Sequence, residues 1–182
     1  MSDIAANVRA LRERIERAAA LFFYEAGSEV SHIIHNLKYY NHPEVGTTMG
    51  RMAAEEMMPQ GFFEEIDMIV PVPLERKHQR QRGYNQSVEI AQGVSEATSL
   101  PVVANAVERI SFHGSQTQKS VAQRMENVKD AFRLTGKADL TNRHILVVDD
   151  IVTSGATICA CVQPMLDTPG LKVSVLSLGV VR

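Results

Sequence analysis

The stretch HILVVDDIVTSGAT, residues 144–157, combines three sequence signals that decide the expected fold. HILVV is an almost continuous apolar run, which is typical of a strand buried on both faces of a parallel sheet. Asp149 and Asp150 follow it, and a hydroxyl-rich loop around Gly155 comes next. Ligands of open parallel sheets bind beyond the carboxyl ends of the strands, so we expect the acids and the loop at a binding site.

The loop after the acids has the chemistry of a phosphate site. Its hydroxyls, backbone N–H groups and glycine can surround one phosphate. The lysine of a triphosphate-binding P-loop is missing, and no G-x-G-x-x-G fingerprint occurs in the chain, so a single phosphomonoester is predicted. The residues expected to hold it are Thr153, Ser154, Gly155, Ala156 and Thr157.

The two acids need a different partner, because they would repel a phosphate. Carboxylates only accept hydrogen bonds, which suits the hydroxyls of a sugar. Sugar and phosphate sites side by side predict ribose 5-phosphate. A purely structural role, in which the acids end a strand and the loop caps a helix, stays open on these residues alone.

The chain before this stretch alternates helical and extended patterns. Apolar residues recur every three or four positions over 3–20, which predicts an amphipathic helix with its Arg and Glu side chains outward. A short strand is expected at 21–24, then a helix from Gly27-Ser28 to Asn41 and another to about Met58.

The central part of the chain predicts a strand, a loop, a helix and more extended chain. Residues 66–72 have strand character up to the prolines, and LERKHQRQRGYNQ, residues 74–86, is interpreted as a basic loop. Asn85 is a suitable N-cap for the next helix, and Pro101-Val102-Val103 restarts extended chain. The polar segment 109–127 is long for a connection, which favours a functional lid.

The remaining pattern completes an α/β fold. After residues 144–157 we expect a helix to about Leu166, a break at Pro169-Gly170 and a last strand, KVSVLSLGVV, at 172–181. Alternating strands and helices predict a mostly parallel, twisted sheet flanked by helices.

Composition sets the outer limits. The chain has 182 residues, 45% hydrophobic and 22% charged, which is typical of one compact domain. Nineteen Lys and Arg against twenty-one Asp and Glu exclude a strong overall field for nucleic acid or membrane. No apolar run approaches the roughly 18 residues of a membrane helix, and the charged N-terminus is unlike a signal peptide, so a cytoplasmic protein is expected. Cys159 and Cys161 are interpreted as packing residues.

The acid pair followed by T-S-G-A-T resembles the phosphoribosyl pyrophosphate (PRPP) motif of type I phosphoribosyltransferases. HIIHNLKYY, VPVPLERKHQRQRGYNQ and SQTQKSVAQRMENVKDAF also occur in the order found in the competence protein F (ComF) family, over roughly residues 20–182. Members of that family commonly begin with a zinc ribbon. No cysteine precedes residue 159 here, so no structural zinc site is expected.

The resemblance implies a type I phosphoribosyltransferase fold, with a small N-terminal helical hood at 1–60 and a core at 61–182 that carries a flexible loop at about 109–127. Asp149 and Asp150 would be the catalytic pair on the ribose hydroxyls. Mg²⁺ would be carried mainly by PRPP itself, with no metal site made of protein side chains.

Other roles follow from the same resemblance and from the charge that the reaction develops. The cations that bind pyrophosphate would be Arg76, Lys77, Arg80 and Arg82, and Gly83 would let the backbone approach the pyrophosphate closely. The alternative is an ordinary solvated basic loop. In the flexible loop, Gln116, Arg124 and Asn127 keep the family's spacing and could exclude water. The acceptor site is placed at Lys38 and Tyr39.

Two functions are therefore predicted as alternatives. The first is a PRPP-dependent transferase that moves ribose 5-phosphate to an unknown nucleophile, such as a nucleobase, and releases pyrophosphate. The second is a non-catalytic protein that binds PRPP or a nucleotide and assists DNA uptake or competence, with the DNA-uptake machinery as a candidate partner. Related folds often dimerise, so a homodimer is one candidate assembly.

Overall fold

The computed structural model describes residues 15–25, 27–28, 31–32, 34–35, 37, 42–110 and 131–181. Its centre is a parallel sheet of four strands in the order β1-β6-β5-β2. These strands are β1 (Ile15–Tyr24), β2 (Met68–Pro71), β5 (His144–Val152) and β6 (Lys172–Val181). Beyond β2, Val102 forms a parallel bridge with Ile69, so the predicted extended chain at 101–103 continues the sheet by one bridge.

Helices cover the sheet, and a small hairpin lies beside it. The helices are α1 (Pro43–Met57), α2 (Arg76–Arg82), α3 (Gln86–Thr98) and α4 (Ala156–Val162), with 3-10 turns at Met58–Gln60 and Gln163–Met165. Strands β3 (Val107–Arg109) and β4 (Phe132–Leu134) pair antiparallel as a separate two-stranded sheet. The described residues between 31 and 37 are also helical.

Alternating side chains of β5 divide the core into two halves. Ile145 and Val147 point to one face, where α4 and the β3-β4 hairpin pack. Leu146 and Val148 point to the other face, where α1, α3 and Ile34 pack. All four of these β5 side chains are fully buried, as expected for a strand with helices or hairpins on both sides.

The strongest local predictions are confirmed. The last strand occupies residues 172–181 as predicted, and α3 begins directly after Asn85. The Asn85 side chain accepts a hydrogen bond from the Ser87 N–H at 3.1 Å, which is the geometry of an N-cap. The parallel α/β architecture is therefore the predicted one.

The helix predicted over 3–20 is wrong from Ile15 onward, because these residues form β1. Residues 15–20 pair with the central strand β6, and this long-range pairing outweighs the local helical spacing. Arg17, predicted to point outward from a helix, instead donates through Nη1 to the carbonyls of Gly61, Phe62 and Glu64 at 3.2, 2.7 and 2.9 Å. The earlier part of that predicted helix, residues 3–14, lies outside the described residues.

The basic loop predicted at 74–86 is wrong in its middle, where α2 occupies Arg76–Arg82. Arg, Lys and Gln lose little side-chain freedom in a helix, so this composition favours one. Gly83 ends the helix in the left-handed conformation, with φ 81°, and its N–H donates to the Gln79 carbonyl at 2.8 Å.

Candidate functional site

The acid pair lies at the carboxyl end of the central strand β5. Asp149 is only 9% exposed, and Asp150 is half-buried. Asp149 Oδ1 accepts hydrogen bonds from the Asp150 N–H at 2.9 Å and from Ser87 Oγ at 3.2 Å. Asp150 Oδ1 accepts from the Ile151 N–H at 2.6 Å. Each carboxylate is thus oriented by hydrogen bonds at the edge of the sheet where ligands of this architecture bind.

The predicted phosphate loop connects this strand end to α4. Thr153, Ser154 and Thr157 are exposed, so their hydroxyls are accessible to a ligand. Gly155 has φ 75° and ψ 0°, a left-handed conformation that glycine adopts without strain. The Ala156 N–H lies 3.4 Å from Ser154 Oγ, and the Gly155 carbonyl accepts from the Cys159 N–H at 2.9 Å as α4 begins. The five predicted residues therefore form one compact turn next to the acids.

The predicted pyrophosphate residues lie on and after α2. Lys77 and Arg80 are exposed, and Arg82 is half-buried. Arg82 Nη1 donates to Gln86 Oε1 at 3.0 Å, which ties the end of α2 to the start of α3. The structure describes only the backbone of Arg76.

The two ends of the basic segment meet close to the acid pair. After β2, the Val72 N–H donates to the Val148 carbonyl at 2.9 Å, so the sheet continues one residue beyond the strand. Asn85 Nδ2 donates to the Val72 carbonyl at 3.0 Å, and Ser87 follows with its bond to Asp149. Residues 73–84 thus leave and return at the same edge of the sheet, which places the basic helix α2 in a connection that borders the acid pair.

Tyr84, at the end of the segment 73–84, contacts the N-terminal part of the chain. Its hydroxyl donates a hydrogen bond to the main-chain carbonyl of Leu37, which is fully buried. Burial raises the pKa of the Tyr84 hydroxyl, so it stays protonated as a donor at neutral pH. The predicted acceptor residues, Lys38 and Tyr39, lie outside the described residues and directly follow Leu37 in the chain.

The predicted flexible loop begins and ends at the β3-β4 hairpin. The Ile110 N–H donates to the Ala131 carbonyl at 2.8 Å, which brings residues 110 and 131 together beyond the last strand pair. Gln116, Arg124 and Asn127 lie outside the described residues.

Sequence reasoning missed the residues at the start of α3. Ser87 and Gln86 are 4% and 2% exposed, yet both are polar. Ser87 bonds Asp149, and Gln86 Nε2 has no hydrogen-bond partner in the described part of the chain. Their position is a general signal only, because the connection that follows β2 returns to the Val72 carbonyl at the carboxyl edge of the sheet, where α3 begins.

Other possible sites are limited. Within the described ranges, no group of three or more His, Cys, Asp or Glu side chains is arranged to hold a metal ion. Burial, together with the negative charge of Asp149, raises the pKa of the Cys161 thiol, and burial raises that of Cys159, so both thiols are protonated at neutral pH. None of the helices in the described part of the chain has the length and apolar character that a membrane span requires.

The parallel sheet, with an acid pair and a hydroxyl loop at its carboxyl edge, is that of a type I phosphoribosyltransferase fold. A solved structure of glutamine PRPP amidotransferase from B. subtilis, in complex with ADP and GMP, is similar to this chain with a TM-score of 0.50. The match covers 77% of this chain and 30% of that one at 19% identity, so it supports the fold alone.

The model of the phosphoribosyl transferase domain family matches residues 35–175. The DNA utilization protein YhgH of Escherichia coli K12 is 31% identical over 149 residues, which cover 80% of this chain and 65% of YhgH. Competence protein F of Haemophilus influenzae is 30% identical over 133 residues, covering 71% of this chain and 58% of that protein. The matches thus span about two thirds or less of these relatives' lengths. The chain belongs to the phosphoribosyl transferase domain family, in its competence protein F-like branch.

Proposed function

We propose that this protein binds PRPP with Mg²⁺ and transfers ribose 5-phosphate to a nucleophile, with release of pyrophosphate. One observation carries the proposal: the acid pair Asp149–Asp150 and the turn at 153–157 are adjacent at the carboxyl edge of the sheet, in a chain of the phosphoribosyl transferase domain family. The spacing provides a carboxylate site for the sugar and a hydroxyl and N–H site for its phosphate.

The sugar half of the proposal rests on the orientation of the acids. Hydrogen bonds from Ser87 and from neighbouring N–H groups hold the carboxylates of Asp149 and Asp150. Carboxylates accept hydrogen bonds from the 2- and 3-hydroxyls of a ribose. The 5-phosphate would then lie over Thr153, Ser154 and Thr157, whose side chains are exposed, with the N–H groups of Gly155 and Ala156 beneath it.

The reaction places opposite charges on the two parts of PRPP. The nucleophile forms a bond to the anomeric carbon, and the bond from that carbon to pyrophosphate breaks, with the electron pair leaving on pyrophosphate. Positive charge develops on the sugar beside Asp149 and Asp150, and negative charge develops on the leaving group. The cationic side chains that follow β2 in the sequence, among them Lys77, Arg80 and Arg82, are the candidates to bind that leaving group. Arg76 and Gly83 complete that proposed pyrophosphate segment.

Magnesium fits this arrangement as a partner of the substrate. Mg²⁺ prefers oxygen ligands and usually binds through one or two carboxylates plus substrate phosphates. Asp149 and Asp150 are oxygen donors at the proposed site, and the described residues offer no larger cluster of ligands. The ion would therefore neutralise charge on pyrophosphate while PRPP supplies most of its ligands.

A second function is favoured by the relatives. The E. coli relative is named a DNA utilization protein, and the H. influenzae relative a competence protein. A protein that binds PRPP or a nucleotide without turnover, and assists DNA utilization, is the alternative. Only the transferase needs an acceptor site, predicted at Lys38 and Tyr39. Only the transferase needs a lid, predicted to include Gln116, Arg124 and Asn127.

The two functions separate in one assay. We would incubate the protein with PRPP and Mg²⁺, add each of a panel of nucleobases or ammonia, and follow pyrophosphate release. Release that depends on an acceptor supports the transferase. Tight PRPP binding without release for any acceptor would contradict the transferase and favour the binding protein. Absence of PRPP binding would contradict the transferase and would leave nucleotide binding as the alternative function.

A further inference from the structure

The Ser87 hydroxyl and the Asp149 carboxylate meet across the boundary between α3 and β5, at 3.2 Å. The two residues are 62 positions apart in the chain, and both are buried, with 4% and 9% exposure. Hydrogen bonds to a charged group are worth more than neutral ones, particularly away from water. The contact therefore links the orientation of an acid in the proposed site to a helix that does not itself carry that acid.

The helix that presents Ser87 is firmly seated. Ile90, Ala91 and Val94 are fully buried on its inner face. Its first turn is capped by Asn85, whose Oδ1 accepts from the Ser87 N–H while Nδ2 donates to the Val72 carbonyl. The buried face of α3 and the Asn85 cap hold the backbone of Ser87 in place. The position of the Ser87 hydroxyl is therefore restricted as well.

Asp149 Oδ1 accepts from donors in two different parts of the structure. One is the N–H of the next residue, Asp150, which belongs to the same strand. The other is Ser87 Oγ, which approaches from α3 and bonds the same atom, Oδ1. A local donor and a donor from a separate element together fix the plane of the carboxylate. Binding sites need their polar groups held to within about 0.5 Å, and supporting hydrogen bonds provide that accuracy.

We infer that Ser87 is a positioning residue that orients Asp149 toward a ribose hydroxyl of PRPP. The inference rests on the proposed function, because it assigns Ser87 to the sugar half of that site. Asp150 Oδ1 accepts a hydrogen bond of a different kind, from the N–H of the next residue, Ile151. The effect of Ser87 should therefore pass through Asp149 and not through Asp150.

Calorimetric titration of PRPP with Mg²⁺ tests this route. Ser87→Ala should weaken PRPP binding about tenfold in the wild-type background and also in the Asp150→Asn background. In the Asp149→Asn background the same change should weaken binding less than about threefold, because the charged acceptor has gone. Equal losses in the two Asn backgrounds would overturn the inference.

Ser95→Ala is the matched control on the same helix. Ser95 Oγ donates to the Leu100 carbonyl at 2.7 Å, at the end of α3 remote from Asp149. We expect it to lower stability to urea without changing PRPP affinity. If Ser87→Ala behaved in the same way, its hydroxyl would be merely structural. Should Ser87→Ala fail to fold, Ser87→Cys keeps a similar shape with a weaker donor and should bind PRPP with intermediate affinity.

A ligand-free measurement separates this inference from the proposed function. Crystal structures of the wild type and of Ser87→Ala without PRPP would show the Asp149 carboxylate directly. A rotated or doubly populated Asp149 side chain in the variant supports positioning, and an unchanged side chain overturns it. If the wild type bound no PRPP, the proposed function would fail, while this comparison would still decide whether Ser87 orients Asp149.

Discussion

Tyr84 and Leu37 are joined by a hydrogen bond from the Tyr84 hydroxyl to the Leu37 main-chain carbonyl, across 47 residues of sequence. Three residues further along the chain, Ser87 contacts Asp149. One short segment, residues 84–87, therefore contacts both the proposed sugar site and the chain that leads into the predicted acceptor site. Because the two contacts are only three residues apart, a displacement of Tyr84 is expected to shift Ser87 as well.

Tyr84→Phe tests this connection. It removes the donor and keeps the ring, so the free energy of unfolding should fall by about 1 kcal/mol. If residues 38 and 39 bind the acceptor, the KM for the acceptor should rise more than the KM for PRPP, because the lost bond holds the chain next to them. Tyr24→Phe on β1 is the control and should leave both KM values unchanged. Equal effects on donor and acceptor would contradict the connection.

The close crossing of α1 and α3 gives a stability prediction. A Cβ atom at Gly93 would lie 1.9 Å from the Thr47 carbonyl oxygen, and one at Gly50 would lie 2.1 Å from that of Ile90. Gly93→Ala should lower the free energy of unfolding by about 3 kcal/mol, although alanine is the better helix former. Urea unfolding checks the value. Gln92→Ala, at an exposed position of α3, should change it by less than about 0.5 kcal/mol, and a comparable loss there would contradict the steric explanation.

The parts of the fold that local sequence encodes were predictable. The four residues of β5 from Ile145 to Val148 are apolar and fully buried, and Asn85 has the side chain that caps α3. The strand predicted at 21–24 is the end of β1, but the first six residues of β1, 15–20, were not predictable, because their helical spacing is a local signal and their pairing with β6 is a long-range one. Arg17 illustrates the difference, since its three carbonyl partners lie 44 to 47 residues away.

The site divides in the same way. Asp149, Asp150 and residues 153–157 lie within nine consecutive positions, so their spacing can be recognised in the sequence. Ser87 is an ordinary residue in the second position of a helix, and nothing nearby in sequence indicates that its hydroxyl meets an acid 62 residues away. Contacts that depend on the packing of α3 against the sheet appear only in three dimensions.

His144 predicts how stability depends on pH. It is 4% exposed, its Nε2 lies 2.9 Å from Ser174 Oγ, and its Nδ1 has no hydrogen-bond partner among the described residues. Burial, then the positive charges of Arg17 and Lys172, lower the pKa of His144 below its ordinary value of 6.5, while Glu16 and Glu65 oppose the shift. As the pH falls, His144 is therefore protonated in the unfolded chain before it is protonated in the folded protein. The His144 contribution is complete above about pH 6.5 and is lost as the pH falls from there toward the lower folded pKa.

Urea unfolding at pH 7.5 and 5.5 measures this effect. The wild type should lose stability between the two values, and His144→Gln should lose less, because it has no proton to bind. His78→Gln, at an exposed position of α2, should keep the wild-type dependence. A pH dependence unchanged by His144→Gln would show that other groups cause it.

The acid pair can be neutralised with little change in shape. Asp149→Asn combined with Asp150→Asn should weaken PRPP binding at least about tenfold, because amides replace two charged acceptors of the sugar hydroxyls. Unfolding by urea should remain cooperative, since the amides are nearly the same shape as the carboxylates and each keeps an Oδ1 atom that can accept from Ser87 or a neighbouring N–H. Asp167→Asn, at an exposed position after α4, is the control and should bind PRPP normally. Unchanged affinity in the double variant would show that the ribose assignment is wrong.

Gly155→Ala separates the phosphate half of the site from the pyrophosphate half. No atom lies within 4 Å of a Cβ at Gly155, so the change brings only the strain of φ 75°, about 1 kcal/mol. The turn can relieve this strain by rotating the N–H groups proposed to face the 5-phosphate. We therefore expect ribose 5-phosphate to bind about tenfold more weakly in calorimetry, while inorganic pyrophosphate binds as before. Gly136→Ala has nearly the same strain, with φ 72° and no atom within 4 Å, but lies after β4, away from the proposed site. It should match Gly155→Ala in stability and leave the affinities for both ligands unchanged. If Gly155→Ala weakened the binding of ribose 5-phosphate and of pyrophosphate equally, the turn would not be the site of the 5-phosphate.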